Sequence, residues 1–215
     1  MKIIERKRAL SQLHQDSKIE ERRGHILGTA LNLFTRSGYF NTSVHDIQRR
    51  AEVSIGSIYH HFKNKEGIAK ALYDDLLVRM EGEMVKIMGE QKTCHDRCRE
   101  VVSFLFAMTE NEPDTMEFVV HARHREFLPD EKPICSSRPF TLMLEMVQEG
   151  IREGDIVGVN SVVAATAIFG GPLRMIHLRL EGMLEQPLPS YLSEVWQCAW
   201  HGVSSMGYMR PKEWS

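Results

Sequence analysis

Apolar residues recur along this chain at three- and four-residue spacing and nowhere in sustained alternation, so the pattern predicts an all-α protein. Ile26, Ala30 and Phe34 repeat every four residues, with Leu27, Leu31 and Leu33 beside them. That stripe predicts a helix over 18–37, closed at Gly38 by a left-handed glycine. Two very short helical patterns follow. Ser43 with Asp46 three residues on is a capping-box start, and Val44, Ile47 and Ala51 line its inner face. Glu52 and Val53 make a turn, and Ser54 caps the next helix. There Val53, Ile58 and Phe62 face inward and Ile55, Gly56, Ser57, Tyr59 and His60 outward. A helix this short is unstable alone and must be held by its neighbours.

Asn64 caps a long helix over 65–89, striped by Ile68, Leu72 and Leu76, then Leu77, Met80, Met84 and Ile87. Beyond it the pattern predicts helices over 93–110, 114–127, 138–153 (closed by Gly154), 160–182 and 190–206. Pro172, inside the fourth of these, removes a backbone donor and predicts a kink. Residues 1–17 show little periodicity and read as a mobile arm or a frayed helical extension. No apolar run approaches the roughly 18 residues of a membrane span.

Composition changes this picture little, but charge divides it. The chain has 215 residues and a net charge of −2. Residues 1–65 hold twelve Lys/Arg against six Asp/Glu, a net +6, and the remainder is −8. A basic head on an acidic body suits a head that meets polyanions. The charged N-terminus lacks the apolar core of a signal peptide. Four cysteines in a chain this long make no disulfide framework, so the thiols are read as free and the compartment as cytoplasmic.

At this point the residues carry a resemblance. The runs A-x-x-L-F-x-x-x-G-Y (Ala30 to Tyr39), T-S-V-x-D-I (Thr42 to Ile47), A-x-V-S-x-G-S-I-Y-x-H-F (Ala51 to Phe62) and K-N-K-E (Lys63 to Glu66) stand in unbroken order. Together they resemble the N-terminal domain of the TetR (tetracycline-repressor-like) regulators. The resemblance implies an N-terminal three-helix helix-turn-helix domain over 18–66, preceded by the arm. It also implies a C-terminal helical ligand-binding and dimerisation domain over 67–215. It further implies a homodimer on a near-palindromic double-stranded DNA operator, most often a repressor, released by a small-molecule effector of apolar or amphipathic character.

Carried over residue by residue, the resemblance assigns phosphate contacts to Tyr59, to Lys65 with its backbone N–H, and to Thr42 or Ser43. His61 matches the same series and can instead pack the helix junction. Base reading falls to Ser57, to Gly56 by close approach and to Ile55 by apolar contact, with His45 or Arg49 beside them and His60 on the outward face.

The body offers less. Phe104, Met108, Met116 and Met143, with Glu117, His121 and His124, are candidate lining for an effector pocket. The small residues at 161–167 and the Trp-rich last helix are candidates for the dimer face. Glu117, His121 and His124 share a helix face, as do Cys94 and Cys98 beside His95, but neither group has a standard metal spacing. No metal and no cofactor is therefore assigned. No phosphate loop, G-x-S-x-G or H-E-x-x-H is present, so an enzyme is not expected. Two alternatives share the same head: a constitutive or partner-controlled DNA-binding protein, and a metal- or redox-responsive regulator.

Overall fold

The computed structural model of the protein describes residues 2–121, 124–131 and 136–205. It is all-α, in the order α1 (Lys2–Ser37), α2 (Val44–Arg50), α3 (Ile55–His61), α4 (Lys65–Glu90), α5 (Cys94–Asn111), α6 (Pro113–His121), α7 (His124–Phe127), α8 (Arg138–Glu153), α9 (Ser161–Leu180), a 3-10 turn (Leu188–Tyr191) and α10 (Leu192–His201). The chain forms two compact units. The first is Met1–Asp75 with Arg125–Pro129, and the second is Leu76–His124 with Asp130–Ser215. Helix α4 contributes to both.

The punctuation residues act as the pattern predicts. Gly38, Gly154 and Gly182 take positive φ. Ser54, Thr93 and Asn160 cap α3, α5 and α9 with their side-chain oxygens, and the Asn64 carboxamide accepts from the Gly67 N–H. Each such cap pairs a backbone donor that a helix start leaves open.

Of the two readings of the N-terminal residues, the helical extension is the one observed over 2–17. These residues continue α1 without a break, because no proline or glycine interrupts the run before Gly24. Pro172 lies inside α9, as expected, and has no N–H to offer the Ile168 carbonyl. The last helix stops at His201, well short of 206. The chain turns at Gly202, and Ile156 bridges to Ser204, with Val157 N–H donating to the Val203 carbonyl.

The first unit buries Ile26, Ala30, Phe34, Ile47, Ile58 and Ile68 from its four consecutive helices. In the second unit α5 is central, packing against α6, α8, α9 and α10. A bidentate ion pair fixes part of this. The Arg179 guanidinium donates to both oxygens of Glu110 at 2.9 Å, and Glu110 also accepts the Leu188 N–H. By length and composition α9 alone among the described helices is apolar enough to cross a membrane. It nevertheless packs on α8 and α10 and carries that arginine.

Candidate nucleic-acid interface

The first unit builds an exposed face from short, well-capped pieces. At the start of α2 a complete capping box forms. Ser43 Oγ accepts the Asp46 N–H at 3.1 Å, and Asp46 accepts the Ser43 N–H at 2.9 Å and the Ser43 hydroxyl at 2.6 Å. Those bonds, the hydroxyl first and Arg49 last, push the Asp46 carboxyl down to about 2. Arg49 pairs with Asp46 but remains 74 % exposed, and His45 is exposed beside it.

The turn between α2 and α3 is tight. Glu52 adopts φ 54°, the left-handed region that L-residues avoid. The strain is held by Val53 N–H donating to the Gln48 carbonyl and by the Gln48 amide donating back to the Val53 carbonyl at 2.9 Å. His25 on α1 shares a 3.0 Å hydrogen bond with the Ala51 carbonyl. Arg23 clamps Asp75 through both nitrogens at 2.8 and 3.0 Å, fixing α1 on α4. Neither Arg23 nor His25 stands out in the sequence, because each pairs with a residue remote in the chain. A groove of about 390 Å³ opens next to this join, lined by His25, Gly28, Thr29, Asn32 and Arg50.

On α3, Ile58 is fully buried while Tyr59 is 52 % exposed. Gly56 and His60 are exposed, and Ile55 and Ser57 are half-buried. An added Cβ at Gly56 would meet nothing closer than 4.0 Å, so the surface there is bare backbone. His61 differs from its neighbour His60. It is half-buried, and burial first, then His60, Arg22 and Arg23, push its imidazole below its ordinary value. Its ring lies beside Phe62, centroids 5.9 Å apart.

Two of the expected phosphate residues are engaged inside the unit. Thr42 is only 3 % exposed, and its hydroxyl donates to the Gly38 carbonyl at 3.0 Å. Lys65 Nζ donates to the Tyr39 carbonyl at 3.0 Å and lies 4.1 Å from the centroid of the Tyr39 ring. Tyr39 is buried, and Phe127 stacks on it. The Tyr39 hydroxyl is the one buried side-chain oxygen among the described residues with no hydrogen-bond partner. Burial, then the Glu66 carboxylate, pushes it up to about 12.

In the body, Met108, Met116 and Met143 are buried and Phe104 half-buried. Glu117 and His121 share a 2.9 Å hydrogen bond, and the His121 ring meets His177, centroids 5.0 Å apart. The His124 side chain lies outside the described residues. The Cys94–His95–Cys98 group is split. Both thiols are buried, whereas both His95 nitrogens are taken, by Asp96 at 2.8 Å and by the Trp196 N–H at 2.8 Å. The aromatic face of α10 is thereby used within the body, with Trp196 and Trp200 stacked on each other. Among the described residues no group of three or more His, Cys, Asp or Glu is placed to hold a metal ion.

Comparison with known proteins agrees with this geometry. Residues 26–72 match the family model described as bacterial regulatory proteins, tetR family. The HTH-type transcriptional regulator HbdR of Aromatoleum sp. is 38 % identical over 66 residues, which cover 31 % of this chain and 29 % of HbdR. The chain thus spans about a third of the length of such relatives. The fatty acid metabolism regulator protein of Bacillus subtilis is 24 % identical over 149 residues, covering 67 % of this chain and 76 % of that one. Among solved structures, the Bacillus subtilis transcriptional regulator FadR in complex with stearoyl-CoA superposes with a TM-score of 0.72. It is 21 % identical, and the match covers 86 % of this chain and 98 % of that one. The last likeness shows the fold, while the motifs and the family model carry the resemblance: over residues 26–72 this chain is similar to the tetR family of bacterial regulatory proteins.

Proposed function

We propose that the chain is a dimeric transcriptional regulator, acting as a repressor that a ligand releases from a near-palindromic operator. The observation that carries this reading is the face of α2 and α3, where small and polar groups stand outward on elements locked from behind by caps, clamps and buried isoleucines. Ile55, Gly56 and Ser57 open the reader helix, with His45 and Arg49 beside it. Gly56 lets backbone approach a base edge, and two of the three side chains at the helix start have little hydrogen-bonding capacity. Direct readout is therefore sparse and DNA shape matters. Tyr59, Ser43, His60 and Lys65 are the proposed phosphate contacts. Thr42, being buried, positions Ser43 rather than touching DNA, and His61 packs the junction.

The proposed dimer face is on α9. Val162 and Val163 are each 60 % exposed, and Thr166, Ala167 and Gly171 are exposed along the same helix. Small residues there allow close helix approach, and exposed valines in register are otherwise unfavourable.

The proposed effector is amphipathic with a long apolar chain, of the fatty acyl thioester class. The relatives named for fatty acid metabolism and the stearoyl-CoA complex support that class, as do the methionines among the buried residues of the body, which adapt to irregular apolar ligands. Release would be a population shift, the ligand preferring a body state in which the two heads no longer match successive major grooves.

Selection of bound duplexes from a random pool tests the reading. A palindrome with half-sites about one helical turn apart is expected, followed by release on adding stearoyl-CoA. Failure to enrich any motif would remove the DNA-binding reading. Enrichment without release by acyl thioesters of any chain length would remove the effector class alone.

A further inference from the structure

The proposed regulator leaves one buried reactive pair without a role. Cys94 and Cys98 lie at the start of α5, 1 % and 0 % exposed, with their sulfurs 4.0 Å apart. The Cys94 thiol otherwise donates only to the Met146 carbonyl, at 3.4 Å. Room for it is made by Gly150 on α8, where an added Cβ would stand 2.4 Å from the Cys94 sulfur. The two thiols thus share a fitted pocket between packed helices.

Their spacing separates two chemistries. Residues four apart on a helix hold their Cβ atoms about 5–6 Å apart, whereas a disulfide needs about 3.5–4.5 Å. Oxidation to a disulfide would have to unwind the first turn of α5. Two metal–sulfur bonds of about 2.3 Å in the near-linear arrangement of a two-coordinate cation span about 4.6 Å, so the pair at 4.0 Å needs to open by only about 0.6 Å, within reach of side-chain rotation and without unwinding the helix. Zinc needs four ligands, and no third protein ligand is at hand. His95 is turned away with both nitrogens engaged, and no larger His/Cys/Asp/Glu group exists among the described residues. A soft cation content with two thiolates remains, and thiolates select Cu(I).

We propose that Cys94 and Cys98 form a two-thiolate site for Cu(I) in the body. On binding, two S–H bonds break and two Cu–S bonds form. Two protons leave to solvent, and copper stays monovalent. The bound group carries one net negative charge. It is placed at the positive end of α5, whose first residue is Cys94, while the nearby Arg97 guanidinium is held by Glu149 at 2.7 Å. The other cysteine of known exposure, Cys198, is on the surface and takes no part.

The test uses the full, reduced chain with Cu(I) under anaerobic conditions against bicinchoninate. One copper per chain is expected, with X-ray absorption at the copper edge showing sulfur neighbours only, at about 2.2–2.3 Å. Binding should vanish in Cys94→Ser/Cys98→Ser and persist in Cys198→Ser and Cys135→Ser. Loss of all copper to the competitor, undiminished binding in the double variant, or nitrogen scatterers on the wild-type copper would each overturn the site. The absorption spectrum of the wild-type protein decides the matter even where the double variant fails to fold. Peroxide treatment is a further check: a Cys94–Cys98 disulfide at full helix content would refute the geometric premise.

Discussion

Phe127 stacks on Tyr39, ring centroids 4.3 Å apart and planes 20° from parallel. Tyr39 in turn holds Lys65, through its carbonyl and under its ring. A residue of α7 therefore steadies the side chain at the first position of α4. An ammonium has three donors, so one hydrogen bond to Tyr39 leaves two for a phosphate. Phe127→Ala should cost about 3–5 kcal/mol of stability in a thermal or denaturant melt, the usual range for a buried phenylalanine, and should weaken DNA binding. In a double-mutant cycle with Lys65→Ala, the two losses of DNA affinity should fall short of additive. Full additivity would show that Phe127 does not act through Lys65. Phe127→Tyr, which keeps the stack, should restore most of the affinity.

Lys65 and Ser57 should fail in different ways. Removing a phosphate contact weakens all sequences alike, whereas removing a base contact changes preference. Lys65→Ala should lower affinity about equally on operator and random DNA and reduce the salt slope by roughly one. Ser57→Ala should change the ranking of operator variants and leave that slope alone. An unchanged slope for Lys65→Ala would sink its phosphate role. Equal losses for Ser57→Ala on operator and random duplexes would argue against base reading.

The Tyr39 hydroxyl gives a pH prediction. Its folded value is pushed up to about 12, chiefly by burial. The protonated form is thus favoured in the folded state. The stability linked to it is present below the ordinary tyrosine range near 10 and is lost as pH rises toward 12. Tyr39→Phe keeps the ring for Phe127 and Lys65 and removes an unpartnered oxygen. At neutral pH the variant should match the wild type or exceed it by up to about 1 kcal/mol, and it should lose less stability between pH 10 and 12. A loss of more than about 1 kcal/mol at pH 7 would instead show that the hydroxyl is bonded to Glu66.

The head was legible because its signals are local. A cap, the residue three beyond it and a terminal glycine lie within a few positions of one another, so Gly38, Ser43, Ser54 and Asn64 could be placed from the pattern alone. The residues that pattern could not reach act across the chain. Arg23 meets Asp75, Tyr39 meets Phe127, and Glu110 meets Arg179, and nothing in any one window reports the partner. Thr42 and Lys65 show a second limit. Their motif positions identify them, but motif position does not report that Thr42 is buried or that Lys65 rests on Tyr39. In the body, spacing put His95 in sequence with Cys94 and Cys98, and only the packing of Trp196 shows that it turns away. The extension of α1 back to Lys2 was one of two readings of residues 1–17, and a helix without an apolar stripe gives no periodic signal to choose between them.

The capping box at Ser43 and Asp46 offers a prediction of opposite sign to that of Tyr39. Hydrogen bonds from the Ser43 hydroxyl and backbone N–H, then Arg49, hold the Asp46 carboxyl at about 2. A carboxyl depressed in the folded state adds stability above its ordinary range near 4, and that stability is lost as pH falls through about 2. Asp46→Asn keeps the side-chain shape but not the charge, and should melt below the wild type at pH 7. The gap should narrow between pH 4 and pH 2, where the wild-type carboxyl is half protonated, and close below pH 2. Ser43→Ala removes the cap oxygen as well and should cost about 1 kcal/mol, a loss that persists in part at pH 2 because the cap oxygen itself does not titrate. If the gap between Asp46→Asn and the wild type were the same at pH 2 as at pH 7, the carboxylate charge would have no part in holding α2. The reader face would then rest on packing of Ile47 and Ile58 alone.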